Sequence, residues 1–86
     1  MSPKRADTYR KPDLPIWKCE KRTAPKGSDA IWFVEADDLR AAIGTSPNSD
    51  EVIRKKMGRG YHHLERALEG ERLTMYEVSH IEYGIT

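Results

Sequence analysis

Residues 50–69 read DEVIRKKMGRGYHHLERALE, two short amphipathic segments on either side of Gly58-Arg59-Gly60. Ile53 and Met57 stand four apart before the glycines. Leu64, Ala67 and Leu68 follow at three- and four-residue spacing after them, so each segment has one apolar helical face. The spacing predicts two short helices packed across a tight glycine turn.

A chain of 86 residues has room for a single small domain. Such a domain buries only about 60% of the surface its unfolded chain exposes. The hydrophobic fraction of 37% and a mean hydropathy of −0.79 are low for a compact fold. A polar tail beside a modest core is therefore expected, with the tail at the N-terminal side. The sequence has no apolar run near 18 residues and no apolar stretch in residues 1–10, so neither a membrane span nor a secretory signal is expected. A cytoplasmic location is the expectation. Cys19 is the single cysteine, which rules out an internal disulfide and agrees with a reduced compartment.

The formal net charge of +1 conceals an asymmetry. Residues 1–26 carry eight bases against three acids, for +5, and the remainder carries seven against eleven, for −4. A basic arm on a mildly acidic body suits contact with a polyanion, because neutralising phosphates gives affinity without reading sequence. A purely solubilising tail has the same composition, and both readings stay open.

Three of the five prolines fall in residues 1–15, which predict an extended basic arm. Residues 16–21 and 30–34 have strand character, and residues 23–29 have the composition of a turn. Residues 16–34 thus predict a two-stranded antiparallel ribbon, with Trp17 and Trp32 covering one side of the helical body. Residues 35–86 predict four short helices, each ended by one of Gly44, Gly58, Gly70 and Gly84. The first places Leu39, Ala42 and Ile43 at helical spacing. The second turns Val52, Ile53 and Met57 to one face, and Asn48 or Ser49 can cap it, Asn48 having capping-box spacing to Glu51. The third packs through Tyr61, Leu64, Ala67 and Leu68. The fourth opens on Thr74-Met75-Tyr76-Glu77, a capping-box pattern, and runs through Val78 and Ile81. The expected class is mainly α, a single four-helix domain preceded by the arm and the hairpin.

The stretch 50–69 resembles the helix-turn-helix of lambda repressor and Cro-like DNA-binding domains, found in small phage and bacterial regulators. Gly58 stands where that pattern opens its turn, Ile53 and Met57 at its apolar positions before the turn, and Leu64, Ala67 and Leu68 at those after it. The likeness extends over residues 35–83. Arg54 stands where the pattern has a small residue and Arg59 where it has an apolar one. The resemblance implies binding of double-stranded DNA and regulation of transcription, with helix 61–69 in the major groove. Tyr61, His62 and Arg66 are then the base-contacting residues, Arg66 being suited to guanine O6 and N7 together. Arg54, Lys55, Lys56 and Arg59 would hold phosphates, and Lys4, Arg5, Arg10 and Lys11 of the arm would follow the backbone or a minor groove. A second copy of the chain is a candidate partner, with the ribbon as its contact.

Two other functions remain open. Glu65, Glu69, Glu71 and Glu77 suit a phage-type inhibitor module that uses the same helical fold to block a host protein. An excisionase-like architectural factor, bending DNA beside a recombinase, is the third. Enzymatic chemistry is not expected. His62 and His63 are adjacent and so point about 100° apart on a helix, which is not a metal-gripping spacing. His80 and Cys19 are remote from them in sequence, and GRG lacks the lysine and spacing of a phosphate loop. No cofactor or metal is implied.

Overall fold

The computed structural model describes residues 11–20 and 30–86, and residues 1–10 and 21–29 lie outside the description. The expected turn at 23–29 falls among the latter. Strand β1 (Lys18–Cys19) pairs antiparallel with β2 (Trp32–Phe33), in the register Lys18 to Phe33 and Cys19 to Trp32. The Glu20 N–H extends the ladder to the Ile31 carbonyl at 2.8 Å. The expected pairing of the two segments is present, as a short sheet. Leu73 adds a bridge on the free side of β2, exchanging N–H and carbonyl bonds with Trp32 at 2.8 and 2.9 Å. A two-stranded ribbon alone is marginal in water, and this third contact ties it to the helices.

Helix α1 is Ala36–Gly44, α2 Asp50–Met57, α3 Tyr61–Leu68 and α4 Met75–Ile85. A 3₁₀ turn, Gly58–Gly60, joins α2 to α3 with no non-helical residue between. Over residues 35–86 the helical residues therefore form three stretches, and the four separate helices expected there are not what the chain makes: the 3₁₀ turn makes 50–68 one bent stretch.

The caps explain most boundaries. The Ser49 side chain accepts the Val52 N–H and starts α2. Asn48 is not the cap: its amide donates to the Gly84 carbonyl at 3.0 Å, while Ser46 donates to the Ile85 carbonyl. The loop before α2 thus satisfies the open carbonyls at the end of α4. Thr74 and Glu77 close the capping box that the sequence predicts, with the Thr74 N–H donating to Glu77 Oε1 at 2.8 Å. Gly70 ends α3 at φ 81°, where the Glu71 N–H reaches the Arg66 carbonyl and the Gly70 N–H that of Ala67. This is a Schellman ending.

Gly84 departs from the expectation that each glycine stops a helix. It lies inside α4, where a Cβ would meet Met57 Cγ at 2.5 Å. Here glycine serves close packing of α4 on α2. Gly44 is the last residue of α1, and Thr45 rather than a left-handed glycine closes that helix.

The core joins the four helices. Leu39, Ile53, Met57, Leu64, Ala67, Leu73, Val78, Ile81 and Ile85 are buried together, with Val34 and Trp17 from the ribbon side. The structural role expected of the tryptophans holds, with Trp32 packed half-buried on this core. Val52 does not join Ile53 and Met57 inside; it is 40% exposed, because it falls on the outer edge of α2. Among the described residues no helix is long and apolar enough to cross a membrane.

Gly58 sits at φ 54° and ψ −127°, a conformation open to glycine and strained for other residues. Its absent Cβ meets nothing within 4 Å, so backbone strain alone opposes a side chain. Gly58→Ala is expected to lower stability by about 1–3 kcal/mol, read from the midpoint of urea unfolding. An unchanged midpoint would mean that the turn is not held in this conformation.

Candidate nucleic-acid interface

The basic residues of α2 and the turn divide by their partners. Arg54 donates to Asp50 Oδ2 at 2.9 Å, and its guanidinium lies 4.3 Å from the Tyr61 ring centroid. The Tyr61 hydroxyl also donates to Asp50, at 3.2 Å. The Arg54 hydrogen bond, outweighing partial desolvation, holds the Asp50 carboxyl below its usual range. Burial, with Asp50 nearby, pushes the Tyr61 hydroxyl up. Arg54, Asp50 and Tyr61 thus form a unit that spans the turn.

Lys55 and Arg59 are exposed and have no carboxylate partner among the described residues. Lys56 lies between them in sequence, its ammonium 4.6 Å from the Tyr83 ring centroid on α4. The three cations therefore share the C-terminal end of α2 and the turn. Two residues past the turn's end, exposed His62 sets Nδ1 2.8 Å from the Arg59 carbonyl. Lys11 is exposed, and Lys4, Arg5 and Arg10 lie outside the described residues.

Arg66 is placed differently from the expectation. Its Nε donates to Glu71 Oε1 at 2.8 Å and its Nη1 to Glu77 Oε2 at 3.1 Å, leaving the side chain 36% exposed. Two carboxylates from beyond the Schellman turn hold it, so it links the end of α3 to the start of α4. Two of its five N–H groups are thus taken by carboxylates that compete with a base for this side chain. Burial pushes the Glu77 carboxyl up, but the Thr74 N–H and Arg66 outweigh it and hold it below its usual range. The only hint in the sequence was the presence of two acids within reach after Gly70.

His63 faces inward. Its ring lies 4.1 Å from that of His62 and 5.8 Å from that of His80 between centroids, with Nδ1 3.7 Å from Glu77. His80 in turn presses on Gly60, where a Cβ would come within 2.1 Å of its ring. Burial first, then His62, lowers the tendency of His63 to take a proton, and the opposing pull of Glu77 does not cancel them. A histidine depressed in the folded state binds protons more readily when unfolded. Its contribution to stability is complete above the ordinary value near pH 6.5 and declines as pH falls through the depressed one. The thermal midpoint is expected to fall as pH drops below about 6.5, and His63→Gln to flatten that slope. Equal slopes for the two proteins would contradict the assignment. Among the described residues no group of three His, Cys, Asp or Glu side chains is placed to hold a metal ion.

Sequence reasoning assigned no role to Glu82. It is 5% exposed, and its two carboxylate oxygens accept the Asp13 and Leu14 N–H groups at 3.1 and 2.8 Å. Comparison with protein families, characterised proteins and solved structures finds no match.

Proposed function

We propose that the chain binds duplex DNA through α2, the glycine turn and α3, and regulates transcription by occupying its site. The observation that carries this is the joining of exposed Lys55 and Arg59 with half-buried Lys56 at one end of α2, without competing carboxylates on Lys55 or Arg59 among the described residues. Their placement suits phosphate contact, which fixes position on a duplex but not sequence. Tyr61 and His62 on the first turn of α3 lie next to these cations and would approach base edges in the major groove. Arg66, engaged by Glu71 and Glu77, is assigned to holding α3 in place rather than to first contact with a base.

A second reading is favoured by the other exposed residues of α3. Glu65 and Glu69 stand exposed with no cation partner among the described residues, and beside phosphates they would repel. That face suits a basic surface on a protein, as in an inhibitor module. The two readings separate in a salt series with random duplex DNA. Four to six phosphate contacts give a slope of log K against log salt of roughly −4 to −5. Absence of binding at low salt would exclude the DNA reading and leave the protein partner.

A further inference from the structure

Two glycines flank Arg59, and the backbone requires only the first. Gly58 sits at φ 54°, whereas Gly60 sits at φ −77° and ψ 0°, a turn conformation open to residues with side chains. What excludes a side chain from position 60 is packing. A Cβ there would overlap Cε1 and Nδ1 of His80 on α4 and come to 3.1 Å from Nε2. Gly60 is buried, and His80 Nδ1 is buried with no hydrogen-bond partner among the described residues, so contact alone seats the ring. The rings of Tyr76 and His63 pack near it, at 6.2 and 5.8 Å between centroids. Glu77 lies three positions before His80 and therefore on the same side of α4. Its Oε2 accepts Arg66 Nη1 at 3.1 Å, near the C-terminal end of α3. Helix α4 thus holds α3 at two points, Gly60 just before its start and Arg66 near its end, about 9 Å apart along the axis. One point would fix only the height of a helix, and two fix its tilt as well.

We propose that His80 is a positioning residue: seated against Gly60, it sets with Glu77 the height and tilt of α3, and so the places of Arg59, Tyr61 and His62 on a duplex. The part that concerns the duplex rests on the DNA reading. Arg59 and Tyr61 adjoin Gly60 in the chain, and His62 Nδ1 lies 2.8 Å from the Arg59 carbonyl, so a shift at position 60 moves all three. A binding constellation tolerates displacements of only about 0.5 Å, less than the clash between a Cβ at 60 and the His80 ring would impose.

The test is a double-mutant cycle on the full chain with a short random-sequence duplex. Gly60→Ala is expected to lower affinity about fivefold and to make the salt slope shallower by about 1, because Arg59 leaves its phosphate although no charge is changed. In a His80→Ala background the same substitution should cost no further affinity, since the Cβ enters the space the ring leaves. Gly44→Ala, whose Cβ would meet nothing within 4 Å, should leave affinity and slope unchanged. His80→Ala alone removes atoms and creates no clash, so it serves where Gly60→Ala does not fold. Residual dipolar couplings of that variant should show α3 turned relative to α4 with both helices kept, a change that a merely space-filling ring would not produce. An equal cost of Gly60→Ala in both backgrounds, or an α3 that keeps its orientation in His80→Ala, would overturn the positioning role. If the native chain binds no duplex at low salt, the DNA reading fails, while the urea midpoints of the same cycle and the dipolar couplings still decide whether His80 sets α3.

Discussion

Leu64→Ala is expected to lower the free energy of unfolding by about 2–5 kcal/mol, the range for emptying a buried leucine site. Leu64 is 1% exposed on α3 and belongs to the cluster that includes Ile53, Met57, Ala67 and Ile81. It is the largest fully buried side chain of α3, the helix after the turn. For a domain of this size, total stability is on the order of 4–13 kcal/mol, so the loss is a large share. Urea unfolding should show a lower midpoint at an unchanged slope, because the surface exposed on unfolding stays nearly the same. A loss below about 1 kcal/mol would mean that α3 is not packed on this core.

The second large effect concerns binding. Changing Lys55, Lys56 and Arg59 together to Gln is expected to cut duplex affinity on the order of a hundredfold or more near physiological salt. The salt slope should become shallower by roughly 2 to 3, close to 0.9 for each phosphate that is no longer neutralised. Folding should be little affected, since Lys55 and Arg59 have no ion-pair partner among the described residues and Lys56 gives up only its place over Tyr83. Glu65→Gln with Glu69→Gln should act in the opposite sense and tighten binding, as repulsion from phosphates is relieved. If the triple change left both affinity and slope intact, the cationic end of α2 would not be the contact surface. If the Glu pair instead weakened attachment to a basic protein, the inhibitor reading would gain.

Local signals in the sequence led to most of the helical boundaries. Thr74 with Glu77 predicts the start of α4 because both partners of a capping box lie within one four-residue segment. Gly58 and Gly70 mark turns because both adopt positive φ. The same signal misleads at Gly84, since a glycine also serves where two helices approach closely, and only the facing Met57 reveals which need it meets. Leu73 pairs with Trp32 as a lone residue between two helices, and a single residue has no period to read. The side chains of the candidate interface were less legible still. Tyr61, His62, Lys55, Lys56 and Arg59 can be placed near the turn from spacing alone. What occupies Arg66 and Glu82 depends on carboxylates and N–H groups that the fold brings in from other segments, Glu71, Glu77 and Asp13 among them, whereas the pairing of Arg54 with Asp50 is legible as an i,i+4 spacing on one helix.

Backbone amide shifts of the isotope-labelled full chain during titration with duplex DNA at low salt decide whether α2 and the glycine turn meet DNA. Changes are expected to centre on residues 55–62 and on Lys11, and to fade as salt is raised. Absence of changes at low salt, or changes that leave residues 55–62 untouched, would contradict DNA binding by this surface.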